Sequence, residues 1–189
     1  MTPMRWILLC PVLVVGGCAT TESSASSAAA AAAPAAPARP TVPDAIAAPA
    51  SATLVMQLAA KGTQNYKCQA GASGGAEWKL VAPEAQLATL PGGAAAGTHG
   101  AGPTWTLNDG SGAKGDGANA KKAPSPEAGS VAWLLIPATA NGQPGGLQGV
   151  TFVQRIDTHG GAAPATGCDA SSVGAETKIP YTATYVFYR

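Results

Sequence analysis

The chain has 189 residues, enough for one domain with an appendage, and only 11% of them are charged and 5% aromatic, against 24 glycines. Its formal charge is +1, and without Arg5 the basic and acidic residues balance at ten each. Nothing therefore draws the protein to phosphate backbones or anionic surfaces, and nucleic acid is not an expected partner.

Residues 1–18 read as a targeting segment. Arg5 supplies a positive n-region, and the apolar run 6–15 is too short for a permanent membrane span. Val15-Gly16-Gly17-Cys18 then resembles the bacterial lipobox, in which small residues precede a cysteine that is lipidated on its thiol and becomes the new N-terminus. The expectation is a lipoprotein signal peptide with lipidation at Cys18; the alternative is an ordinary secretory leader cut elsewhere. Several acyl chains on one residue anchor stably where a single chain is marginal. Ala19 and Thr20 come next, with no aspartate. That favours a lipid anchor in the outer membrane, with the protein facing the periplasm or the cell surface.

Residues 19–51 are Ala, Ser and Pro with almost no large apolar side chains. Such a segment buries too little surface to offset the entropy of ordering, so it reads as a disordered tether ahead of a single domain at 52–189. A Pro-rich recognition ligand is the other reading of this run.

The leader also decides the cysteine count. Cys10 leaves with it and Cys18 carries the lipid, which leaves Cys68 and Cys168 as a disulfide pair in an oxidising compartment. The alternative is a pair of zinc ligands, for which neither cysteine has a second cysteine or histidine at metal spacing.

The domain reads as strands. Residues 53–59 and 63–68 are divided by Lys61-Gly62, a hairpin-like break, and 78–81 is a short strand ending at Pro83. A turn of helix fits 83–90. A proline-led strand at 103–107 precedes an Asp109-Gly110 turn, and 115–130 reads as a long exposed loop. The apolar run 131–136 suits a strand buried on both faces, and 147–158 a longer one. The clearest alternation closes the chain: Ile179, Tyr181, Ala183, Tyr185 and Phe187 point one way, and Lys178, Pro180, Thr182, Thr184 and Val186 the other. Many short strands with Gly-rich connections and no long helical period predict an all-β fold, an antiparallel β-sandwich or barrel.

Four motifs share one order and spacing: QNYKC at 64–68, GTHGAGPTWTLNDGSGAKG at 97–115, GVTFVQRIDTHGGAAPATGC at 149–168 and PYTATYVFYR at 180–189. Together they resemble a secreted domain of unknown function, the bacterial and fungal family numbered 3455, over residues 52–189. The resemblance implies a fold and a compartment and no established activity.

Gly110-Ser111-Gly112-Ala113-Lys114-Gly115 matches G-x-G-x-x-G, but the residues after it are Gly- and Pro-rich and offer no helix to meet a pyrophosphate. A hairpin turn is expected there, and no nucleotide or other cofactor. The side chains left for chemistry are His99, Trp105, Asp109, Arg155, Asp157 and His159. No nucleophile elbow, H-E-x-x-H helix or free cysteine nucleophile accompanies them, so no catalytic residue and no metal ligand set is assigned. The first functional expectation is a noncatalytic envelope lipoprotein whose β domain binds a small-molecule or protein ligand, with His99, Trp105, Asp109, Arg155 and His159 as binding candidates. The second is a metal-assisted envelope enzyme, which requires His99, His159 and an aspartate to converge.

Overall fold

The computed structural model describes residues 38–71, 74–90 and 93–189. The leader, Cys18 and positions 19–37 of the expected tether lie outside the described residues. Among the described residues nine strands occur in order: β1 (Leu54–Ala70), β2 (Ala76–Thr89), β3 (Ala95–Gly100), β4 (Thr104–Leu107), β5 (Gly112–Gly115), β6 (Lys121–Ala123), β7 (Trp133–Ala140), β8 (Phe152–Gly160) and β9 (Glu176–Tyr188). Among the described residues there is no α-helix, only 3₁₀ turns at Asp44–Ile46 and Gly117–Asn119.

The strands form one antiparallel sheet, ordered β5-β4-β3-β2-β1-β9-β8-β7-β6, and β5 also pairs with β7. β6 takes Trp133 to Leu135 of β7, and β5 takes Ala138 to Ala140 further along it. The sheet thus closes into an up-and-down barrel in which β5 and β6 share one position. Of the two expected architectures, the barrel is the one adopted, although β6 and the first part of β2, residues 76–84, are each paired on one side only.

Alternation along β9 sorts the core into two layers. Tyr181, Ala183, Tyr185 and Phe187 point inward with Leu58, Leu87, Trp105, Ile136 and Val153. Val186 and Tyr188 point outward and pack with Leu135, Ile156 and Ile46. The run predicted to be buried on both faces is buried so, with Ile136 inside the barrel and Leu135 in the outer layer.

Four local expectations are corrected. Lys61-Gly62 is not a turn, because β1 runs unbroken through it and Gly62 pairs with Ala85 on one side and Tyr181 on the other. A Cβ at Gly62 would stand 1.9 Å from the Glu84 carbonyl oxygen, so the glycine allows close backbone approach within the sheet. Likewise β2 does not stop at Pro83 and 83–90 is not helical. Val81 is an extra residue opposite Asn65 and Tyr66, and this bulge absorbs the proline within the strand. The loop expected at 115–130 contains β6, whose Ala123 is buried.

The fourth correction concerns the tether: residues 38–51 are packed onto the barrel. Ile46 is fully buried against the outer face of β7, β8 and β9. The Arg39 guanidinium donates to the carbonyls of Ala48, Pro49 and Ala52 and lies 5.1 Å from the Tyr188 ring centroid. Gln154 Nε2 donates to the Ile46 carbonyl at 2.7 Å. One isoleucine and two long polar side chains offset an ordering cost that average composition could not predict. Ala36–Arg189 form a single compact unit with every strand, both core layers and the disulfide, which is what independent folding requires.

Cys68 and Cys168 form that disulfide, with Cα atoms 5.4 Å apart. It ties the loop before β9 to the buried end of β1, where Tyr66 also donates to the Gly161 carbonyl at 2.6 Å.

Candidate functional site

The aromatic strands fill only part of the barrel interior. Toward the end carrying the β3–β4 turn and the β5–β6 connection there is a cavity of about 340 Å³. Its lower wall is built by strand alternation: Gln64 from β1, His99 from β3, Trp105 from β4, Arg155 from β8 and Tyr185 from β9. Leu134 and Ile136 add an apolar side, and Leu80, Val81 and Pro103 form part of the rim. Leu80 and Val81 are exposed large apolar residues, 52% and 58% accessible.

His99 stands opposite Trp105 in the β3–β4 register, and the rings stack with centroids 4.7 Å apart. Tyr185 tilts against His99 at 4.7 Å and meets Trp105 edge-on at 5.4 Å. His99 Nδ1 lies 2.8 Å from the Thr104 carbonyl oxygen, which can only accept, so Nδ1 carries the proton and Nε2 is left as an acceptor. Burial pushes the His99 pKa down to about 4, with the Arg155 charge adding to the effect against the opposing Thr104 contact. The ring is neutral at physiological pH. Burial likewise raises the phenols of Tyr185 and Tyr181, whose hydroxyls lie 3.4 Å apart.

Arg155 is half-buried, and its Nε and Nη2 both donate to the Ala132 carbonyl, at 3.1 and 2.8 Å. Among the described residues it forms no ion pair with a carboxylate. Gln64 and Trp105 are each 1% exposed, and Gln64 Nε2 and Trp105 Nε1 have no hydrogen-bond partner among the described residues. Gln64, Trp105 and the Arg155 cation thus line one space, with the two unpartnered N–H atoms themselves shielded from solvent.

The structure brings His99, Trp105 and Arg155 together at this cavity and sends the other candidates elsewhere. Asp109 is exposed in the β4–β5 turn, where it accepts from Ser111 Oγ, Ser111 N and Gly146 N; these bonds, the serine hydroxyl first, hold its carboxyl below the usual range. It clamps two loops. His159 is exposed on the outside of the barrel and bonded to Glu127. Asp157, at φ 48° in the β8 bulge, is exposed there too. The convergence required for a metal-assisted centre is therefore not met, since His99 faces inward and His159 outward; the bulge in β8 interrupts the alternation that would have turned His159 in. Among the described residues no three His, Cys, Asp or Glu side chains gather at metal-binding distance.

Gln64 and Tyr185 belong to the site and were not singled out from the sequence. Their signal was present, because Gln64 alternates with Tyr66 and Cys68 on the inward face of β1, and Tyr185 lies on the inward face of β9. The G-x-G-x-x-G stretch is a turn running into β5, with a three-residue 3₁₀ turn after it.

Comparison with known proteins gives one match and two blanks. The family model "Protein of unknown function (DUF3455)" matches residues 49–90 and 88–189, which takes in all nine strands and every cavity residue. No curated protein and no solved structure matches the chain. The order of motifs along the sequence, now seen as the walls of one barrel, and the match over most of the chain place this protein in the DUF3455 family.

Proposed function

We propose that the protein is a noncatalytic cell-envelope lipoprotein whose barrel binds a small, mainly apolar molecule in its cavity. The observation that carries this reading is the unfilled end of the barrel. An eight-position barrel is just wide enough either to be filled by side chains or to hold one small ligand, and here the aromatic core stops short of the mouth. A volume of about 340 Å³ lies in the range of small-molecule sites, and a mostly apolar wall with a few polar groups is their usual composition. The lipobox supports attachment through Cys18, and the disulfide suits an oxidising envelope compartment.

The test is binding of 1-anilinonaphthalene, a neutral fluorophore, to residues 36–189. The expected result is saturable fluorescence enhancement that Ala120→Trp, which fills the mouth, weakens about tenfold, a change of roughly 1.4 kcal/mol. Absence of binding, or binding indifferent to Ala120→Trp, would remove the cavity from the function.

A further inference from the structure

We infer that the natural occupant of the cavity is a small amphipathic anion, its apolar body against Leu134, Ile136 and the rim and its oxyanion head beside Arg155. This rests on the cavity being a ligand site and specifies what the ligand must carry. Arg155 and Lys122 line the cavity and, among the described residues, no carboxylate does. Arg155 has spent Nε and Nη2 on the Ala132 carbonyl, which neutralises none of its charge. A half-buried guanidinium without a counter-ion is costly, and an anionic ligand removes that cost.

Of the three unpartnered buried side-chain nitrogens among the described residues, Gln64 Nε2 and Trp105 Nε1 belong to residues of the cavity wall, and the third, Trp133 Nε1, lies in the outer layer. The two in the wall are donors, and solvent reaches neither while the cavity is empty, so an acceptor meets them only when the Gln64 or Trp105 side chain turns. A neutral apolar ligand would leave the Arg155 charge without a counter-ion. A ligand bringing a cation would place like charge beside Arg155. An oxyanion supplies several acceptor lone pairs and a negative charge at once. His99 adds no competing positive charge, since its ring is neutral at physiological pH.

The experiment compares two probes with one ring skeleton, 1-anilinonaphthalene and 8-anilino-1-naphthalenesulfonate, on residues 36–189. The anionic probe is expected to bind about tenfold more tightly, as charge-assisted hydrogen bonds allow. Arg155→Gln should abolish that preference while leaving the neutral probe's affinity within about twofold. Because Arg155 also supports Ala132, Gln64→Glu gives an independent arm: it keeps side-chain size, puts a carboxylate beside the proposed head and should weaken the anionic probe more than the neutral one. Decanoate and decyl phosphate should each displace the sulfonate probe better than decan-1-ol does, and their ranking identifies a carboxylate or a phosphate head. Equal affinity of the two probes, a preference that survives Arg155→Gln in a folded variant, or equal displacement by decan-1-ol would overturn the inference while leaving the ligand site standing. Failure of both probes to bind would overturn both.

Discussion

His99 and Trp105 face each other across β3 and β4, and their ring planes diverge by only 12°. The stack buries an ionisable ring almost completely, with His99 only 4% exposed. Protonating it in place would set a second positive charge beside Arg155.

Acid should therefore destabilise the fold earlier than its carboxylates require. The His99 pKa falls from 6.5 to about 4 on folding, so between those values the unfolded chain binds the proton that the folded one refuses. This contribution is fully present above pH 6.5, is lost as pH falls toward 4 and amounts to roughly 3 kcal/mol at its limit. The lowered carboxyls of Asp109, Asp116, Asp169 and Glu84 act in the same direction but from ordinary values of 3.8 and 4.5, below most of that window. Denaturant midpoints at pH 7.0 and 5.0 should differ clearly in the wild type and much less in His99→Gln.

Removing the bridge should cost most among single changes outside the barrel core. Cys68 and Cys168 close a loop of sequence separation 100, for which the chain-entropy model gives about 4 to 5 kcal/mol. Cys168→Ser should melt well below the wild type in oxidising buffer and match the reduced wild type when dithiothreitol is present. Equal melting temperatures in oxidising buffer would mean that the bridge closes no entropy-rich loop.

The segment before β1 should behave as core. Ile46 is 0% exposed and packs against Ile156, Val186 and Tyr188, so Ile46→Ala should lower stability by about 2 to 4 kcal/mol. A domain beginning at residue 52 should be less stable than one beginning at 36 by at least that amount and should bind hydrophobic dyes on the outer face it uncovers. Indifference to either change would restore the tether reading for 38–51.

Lipid attachment is tested at Cys18. Cells fed an alkyne fatty acid should label the full chain, and Cys18→Ala should abolish labelling and release the protein from the membrane fraction. A labelled Cys18→Ala variant, or a wild type without lipid, would exclude the anchor.

Much of the fold was legible in the order of residues because a β-strand's period is two. The alternation Tyr181, Ala183, Tyr185, Phe187 declared one face of β9, and the proline-led run 103–107 with Asp109-Gly110 declared β4 and the turn after it. Gly62 and Pro83 misled for a common reason. Their local meaning is a break, and only the partner strands show that one allows a close approach and the other sits beside a bulge.

By itself, the sequence determined the all-β class, the Cys68–Cys168 pairing and the inward set on the last strand, since each depends on residue type, count or a short period. Closure through β5 and β7, the packing of Ile46, and the meeting of Gln64, His99, Trp105, Arg155 and Tyr185 in one cavity were decided only in three dimensions. Five strands supply those five side chains, and no local pattern records which strands a barrel will set across from one another. His159 lies four positions from Arg155 and would share its face by alternation alone; the bulge between them turned one inward and the other out.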